Sequence, residues 1–177
     1  MRKLPRLLIL WGVPGTGKST FAKYLVKEHG YVHIDTDVGG AGESKAAKAW
    51  RAVLNGTGSP EEFVKLACYN PKPVVMEYGV FADERSIALL DRMRDAGAEP
   101  WWFDGERAAA FKAWQDENKK ARPTFVDPMW HSVVRVIEEN CAALNEFFGG
   151  NMVRTIEAGP THVPTDDTFK TMFGEDS

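Results

Sequence analysis

Residues 7–11, LLILW, form an unbroken apolar run closed by glycine, the pattern of a strand buried on both faces of a parallel sheet. From 18 to 29 the period lengthens: Phe21, Ala22, Leu25 and Val26 fall on one helical face, and Gly30 is the stop. Residues 31–35 predict a short second strand. After the permissive stretch 39–42 come two short helices, 43–54 and 60–68, joined by NGTGS. Residues 74–77 predict a third strand behind the breaker run NPKP, 83–96 an amphipathic helix stopped by Gly97, and 99–103 a fourth strand. Helices are predicted over 105–120 and 128–148, parted by the proline-containing stretch ARPTFVDP. Residues 152–156 complete the strands, ahead of the loop AGPTHVPT and a short terminal helix.

Strands alternating with helices imply βαβ units, which right-handed crossovers assemble into a parallel sheet covered on both faces. The expected class is therefore α/β, in three layers, with ligands bound at the carboxyl ends of the strands. No internal repeat or interdomain linker is visible, and 177 residues suit one domain over 1–177.

Composition changes this picture little, with 44% hydrophobic and 27% charged residues. The formal charge of −3 argues against general affinity for nucleic-acid phosphates, so an anion site must be local, and a nucleic-acid end as partner lacks support from charge. Cys68 and Cys141 form no CxxC, which suggests free thiols in a reducing compartment. The opening MRKLPRLLILWG lacks the cleavage site of a signal peptide, and no segment approaches the roughly 20 apolar residues of a membrane helix. A cytoplasmic location without membrane contact is expected.

Chemistry enters at residues 12–19, GVPGTGKS, which match G-x-x-x-x-G-K-[ST] after a predicted strand and at the opening of a predicted helix. Gly12, Gly15 and Gly17 let the backbone wrap with its N–H groups inward, and the helix starting near Lys18 adds its positive end. Lys18 suits the β- and γ-phosphates, and the Ser19 hydroxyl suits Mg²⁺. Gly12, Val13, Pro14, Gly15, Thr16, Gly17, Lys18, Ser19 and Thr20 are the expected nucleotide contacts. The plain alternative is a glycine-rich turn without ligand.

The surroundings must say what happens to the phosphate. In an extended segment Asp35 and Asp37 point the same way, with Cα atoms roughly 6.5–7 Å apart. One suits the metal shell and the other a base accepting a hydroxyl proton; either instead suits a helix or turn cap. Glu77 ends PVVME where a Walker-B-type acid belongs, as Mg²⁺-shell acid or as a satisfied strand-end carboxylate. KKAR at 119–122, with Lys112 and Arg107 upstream, offers cations for a closing lid, or a solvated helix face beside Asp116 and Glu117.

GVPGTGKST followed at close range by HIDTD resembles the small P-loop kinases, a group that includes shikimate kinase, gluconate kinase and the kinase domain of polynucleotide kinase. EHGYVHIDTD is similar to the second-strand region of polynucleotide kinase, which implies the catalytic aspartate at Asp37. VVMEYGVFADERSIALLDRMRDAGAEPWWFD is similar to its third strand, following helix and fourth strand. NKKARP resembles the shikimate kinase lid, which implies a phosphate contact at Arg122. The resemblance further implies Mg²⁺ service by Asp35, acceptor hydroxyl binding by Asp37, and an adenine site between the lid helix and the loop 159–164, where His162 is the candidate contact. It also implies a five-stranded P-loop NTPase sheet in the kinase-like order 2-3-1-4-5, with a helical acceptor cap at 39–70 and a lid region at 105–127.

This chain departs from those kinases at VGGAG, where polynucleotide kinase carries an arginine for the acceptor's phosphate, and at EYG, where shikimate kinase is glycine-rich. Neither acceptor carries over. In the cap, Trp50, Phe63 and Tyr69 are candidate stacking surfaces and Lys45, Lys48 and Arg51 candidate anion contacts; aromatics at this spacing equally serve a core. Arg85 suits an acceptor phosphate, or a pair with Asp83 or Glu84. His33, His131 and His162 show no metal-ligand spacing, and Trp101, Trp102, Trp114 and Trp130 are assigned to packing. The expectation is an ATP- and Mg²⁺-dependent phosphotransferase acting on a hydroxyl of a nucleotide, a polynucleotide end or a small molecule. The rivals are a nucleotide hydrolase or regulator with no phosphorylated acceptor, and a module that only binds nucleotide.

Overall fold

The computed structural model describes residues 4–34, 45–78, 82–118, 123–157 and 162–174, with backbone alone for 123–126. In chain order its elements are β1 Leu7–Gly12, α1 Lys18–His29, β2 Val32–Ile34, α2 Lys45–Leu54, α3 Pro60–Cys68, β3 Val74–Glu77, α4 Glu84–Asp95, β4 Glu99–Gly105, α5 Arg107–Glu117, α6 Pro123–Glu139, α7 Cys141–Phe148, β5 Met152–Ile156 and α8 Thr165–Phe173. The strands pair in parallel in the order β2-β3-β1-β4-β5, as the resemblance implied.

Central β1 explains the layering. Leu7, Ile9 and Trp11 enter one core with Trp50, Phe63, Leu90, Val134 and Leu144, from α2, α3, α4, α6 and α7. Leu8 and Leu10 enter the opposite core with Phe21 and Leu25 of α1 and Phe169 and Met172 of α8. Both sets are essentially excluded from water. A strand flanked on both sides has no solvent face to keep polar, hence the unbroken run; each fully buried Leu or Ile contributes about 1.5–3 kcal/mol.

Local signals set most ends. Ser59 accepts from Glu62 N and Asp83 from Ser86 N, capping α3 and α4, so α4 starts one residue later than predicted. Glu106 accepts from the amides of Ala108 and Ala109 and delays α5 to residue 107. β4 runs past Phe103 because Asp104 and Gly105 still pair with β5 across an irregularity in register.

The single helix expected over 128–148 is two. α6 starts at Pro123, where a first-turn proline costs no hydrogen bond, and continues through Pro128. Trp130, Val134 and Ile137 keep one buried face along it, which offsets the bond that Pro128 forfeits. At Asn140 the side-chain amide turns back on Val136 O at 2.9 Å, and α7 begins anew.

Candidate nucleotide site

β1 lies between β3 and β4, and the loop leaving its carboxyl end to α1 sits at the crevice where parallel sheets bind ligands. Two glycines there have no substitute. Gly12 has φ +137°, and a Cβ on it would stand 2.0 Å from Phe103 O. Gly15 has φ +86°, with the same 2.0 Å approach to Ala110 O of α5. The loop is thus wedged between β4 and α5 by backbone contact alone.

Side chains from distant elements fix the loop's peptides. Val13 N donates to Phe103 O at 3.0 Å, and buried Thr16 turns its hydroxyl onto Val13 O at 2.7 Å. Thr155 of β5 donates to Thr16 O at 2.6 Å. Trp130 of α6 donates its indole N–H to Pro14 O at 3.2 Å. His162 lies against Gly17, with Nε2 3.0 Å from Gly15 O; a carbonyl only accepts, so Nε2 carries the proton. The carbonyls of four successive residues, Val13 to Thr16, are thus tied down, so the loop needs less ordering when an anion arrives.

Lys18 opens α1 and donates to Gly12 O at 3.1 Å and Val13 O at 2.9 Å. Burial lowers its pKa from 10.5 to about 8, against the opposing pull of Glu77 and Glu117. A phosphate beside it would favour the charged form that burial disfavours.

Ser19, one residue on, donates to Glu77 Oε2 at 2.6 Å across the crevice. The other oxygen, Oε1, stands 3.1 Å from His33 Nε2 on β2. Burial pushes the Glu77 carboxyl up, but the contacts from His33 and Ser19 and the Lys18 charge outweigh it and leave its pKa below the usual carboxylate range. Serine and glutamate oxygens at the mouth of a phosphate loop fit Mg²⁺, which takes one or two protein ligands together with phosphate oxygens. Among the described residues no group of three or more His, Cys, Asp or Glu surrounds a metal position.

The structure thus brings Gly12 to Ser19, Glu77 and His162 together, with Thr20 exposed on the first turn of α1. Asp35, Asp37 and Arg122 lie outside the described residues, as do 119–121 of the lid run. Arg85 is exposed on the first turn of α4, and Lys45, Lys48 and Arg51 are exposed on α2. Trp50, expected as an acceptor contact, is corrected: it is 2% exposed, packed against Phe63 and Tyr78 with ring centroids 5.3 Å away in each case, so neither face is offered to an acceptor. Phe63 is likewise core, whereas Tyr69 is 89% exposed.

Three contributors were missed. The sequence assigns Trp130 to packing alone, yet its N–H also reaches the loop; Thr155 carries no motif; and His33 shows no metal-ligand spacing. The available signal for His33 was its place two residues before Asp35, on a strand beside the one ending in Glu77.

Comparison with known proteins agrees with this architecture. A family model described as AAA domain matches residues 7–99. A gluconokinase from Sinorhizobium meliloti 1021 superposes with TM-score 0.55 at 14% identity, over 97% of this chain and 91% of that one. A shikimate kinase from Bacteroides thetaiotaomicron superposes with TM-score 0.50 at 13% identity, over 94% and 93%. At such identities the likeness is one of fold. No curated protein matches the chain. Among the described residues no helix is long and apolar enough to cross a membrane.

Proposed function

The chain belongs to the AAA domain family, and on that premise we propose that it is an ATP- and Mg²⁺-dependent phosphotransferase that moves the γ-phosphate to a hydroxyl of a small-molecule or nucleotide acceptor. The observation that carries the reading is the Ser19–Glu77 contact across the mouth of the glycine loop, with Lys18 one residue away. It sets hard oxygen donors beside a phosphate cradle, as phosphoryl transfer requires. The fold shared with structures named as a gluconokinase and a shikimate kinase supports a small acceptor.

In this proposal the loop amides and Lys18 bind the β- and γ-phosphates, and Ser19, with Glu77 or Asp35, holds the Mg²⁺ that neutralises charge on the transferring group. Asp37 orients the acceptor hydroxyl and takes its proton as the oxygen bonds to phosphorus and ADP leaves. Arg122 closes over the phosphates on the lid, 105–127, and His162 borders the nucleotide. The cap, 39–70, holds the acceptor, and the exposed cations Lys45 and Lys48 of α2, with Arg85 of α4, suit an acceptor bearing negative charge. A polynucleotide end would need more basic surface than a chain of net charge −3 supplies. The proposed setting is the cytoplasm, where the free thiols Cys68 and Cys141 stay reduced.

The variant Asp37→Ala tests the assignment. Transfer to an acceptor should fall about 10²-fold or more, as for loss of a catalytic base, while ATP affinity stays near that of the parent. Undiminished acceptor phosphorylation by Asp37→Ala would refute the role. ATP consumption indifferent to both acceptor and variant would identify a hydrolase.

A further inference from the structure

The register of β2 on β3 aligns His33 with Val75, and Glu77 follows two residues later on the same face. That face is the one α1 covers, since Val75 shares a core with Phe21, Ala22 and Leu25. Ser19, on the first turn of α1, therefore meets Glu77 from one side while His33 meets it from the other. The two carboxylate oxygens are divided between them: Oε2 accepts from Ser19 at 2.6 Å, and Oε1 stands 3.1 Å from His33 Nε2.

Among the described residues, His33 Nε2 is sealed from solvent and finds no in-line hydrogen bond. A buried ring N–H left without a bond forfeits its solvation with no return, so it tends toward the nearest acceptor. Glu77 Oε1 already lies at bonding distance, and a small rotation of carboxylate or ring suffices to bring the bond into line. A Glu77 held at both oxygens cannot swing. Its Oε2 then keeps the Ser19 hydrogen to itself, and the lone pairs of Ser19 are left for a cation.

We propose that His33 is a positioning residue for the metal side of the site: by holding Glu77 Oε1 it fixes the carboxylate that aims Ser19. The proposal rests on the phosphotransferase reading only for the identity of the cation, and it requires no proton transfer by His33. Whichever acid completes the shell, Glu77 acts on the cation through the Ser19 hydroxyl that it aims.

Calorimetric binding of ATP, with Mg²⁺ and with chelator, tests this in the wild type, His33→Ala and His33→Gln. Loss of a residue that orients a metal ligand typically costs about 10–100-fold in metal affinity. The gain in ATP affinity that Mg²⁺ confers should therefore shrink about tenfold in His33→Ala, with metal-free ATP binding unchanged. His33→Gln, whose amide reproduces a donor near the Nε2 position, should recover most of it. Wild-type metal dependence in His33→Ala would overturn the proposal, as would equal losses in the Ala and Gln variants or an equal loss with and without metal. The measurement needs no acceptor. A chain that shows the expected pattern yet phosphorylates nothing refutes the phosphotransferase reading and leaves His33 in its role, whereas wild-type ATP binding that gains nothing from Mg²⁺ overturns both.

Discussion

Replacing Thr155 by valine keeps the shape of a buried β5 side chain and removes the one hydroxyl that ties this strand to the glycine loop. Thr155 is 4% exposed and donates to Thr16 O at 2.6 Å, with Asp104 O at 3.3 Å. Thr16 itself is fully buried, so the substitution strips its carbonyl of this bond where water has no access. A buried acceptor deprived of its partner costs about 1–3 kcal/mol. For a chain of this size each kcal/mol moves Tm by about 2–4 °C, which for a loss near 2 kcal/mol predicts a drop of roughly 4–8 °C. Thr155→Ser keeps the hydroxyl and sheds one methyl, worth about 0.8 kcal/mol, so it should drop roughly 2–3 °C. Because Thr16 belongs to the loop proposed to hold the phosphates, ATP affinity should weaken in the valine variant more than in the serine variant. Thermal melts followed by circular dichroism, with and without ATP, read both effects. A valine variant within about 1 °C of the parent, or a serine variant less stable than the valine one, would refute the claim that this hydroxyl holds the loop.

On the proposed function, Lys18 should make ATP binding depend on pH. Its folded-state pKa of about 8 lies below the ordinary 10.5, so between those values the unfolded chain carries the extra proton and this residue makes the ATP-free protein more stable as pH rises. Phosphates favour the ammonium form, so ATP binding above pH 8 should take up a proton; calorimetry in buffers of differing ionisation enthalpy will show this, and Lys18→Met should abolish it. In Gly12→Ala a methyl would meet Phe103 O at 2.0 Å in a left-handed conformation. Neither partner is a side chain able to move, so destabilisation beyond about 3 kcal/mol is expected, measured by urea unfolding. Trp50 buries an indole N–H with no partner among the described residues. Trp50→Phe therefore trades lost ring area against a removed orphan donor and should fall within about 1 kcal/mol of the parent, whereas Trp50→Ala should lose about 3–5 kcal/mol.

The elements that sequence periodicity captured are those whose causes are local. α1 is bounded by a glycine at each end, Gly17 at φ +80° and Gly30 at φ +69°, and carries its apolar face at 21, 22 and 25, so every cue lies within its own residues. β1 was legible because burial on both faces leaves no polar position. The opening of α6 was not, because Pro128 reads as a breaker while the cause of the helix is a buried face shared with neighbouring helices. At the site, the glycine loop is legible because its motif is written in consecutive residues. The pairing of His33 with Glu77 depends instead on strand register, and the grip of Thr155 and Trp130 on the loop on contacts more than 100 residues apart in sequence. Trp50 illustrates the reverse error: helical spacing shows that a ring faces inward from its helix, not whether a ligand or a core awaits it.

The central claim is tested most directly by incubating the protein with γ-labelled ATP and Mg²⁺ against separate acceptors: nucleosides, nucleoside monophosphates, 5′-hydroxyl oligonucleotides, sugar acids, and aminoglycoside or phenicol antibiotics. A phosphotransferase will place label on at least one hydroxyl-bearing acceptor, in a Mg²⁺-dependent way that Lys18→Met abolishes. If every acceptor stays unlabelled while free phosphate forms at the same rate with and without them, the chain is a hydrolase and the account of its reaction is wrong.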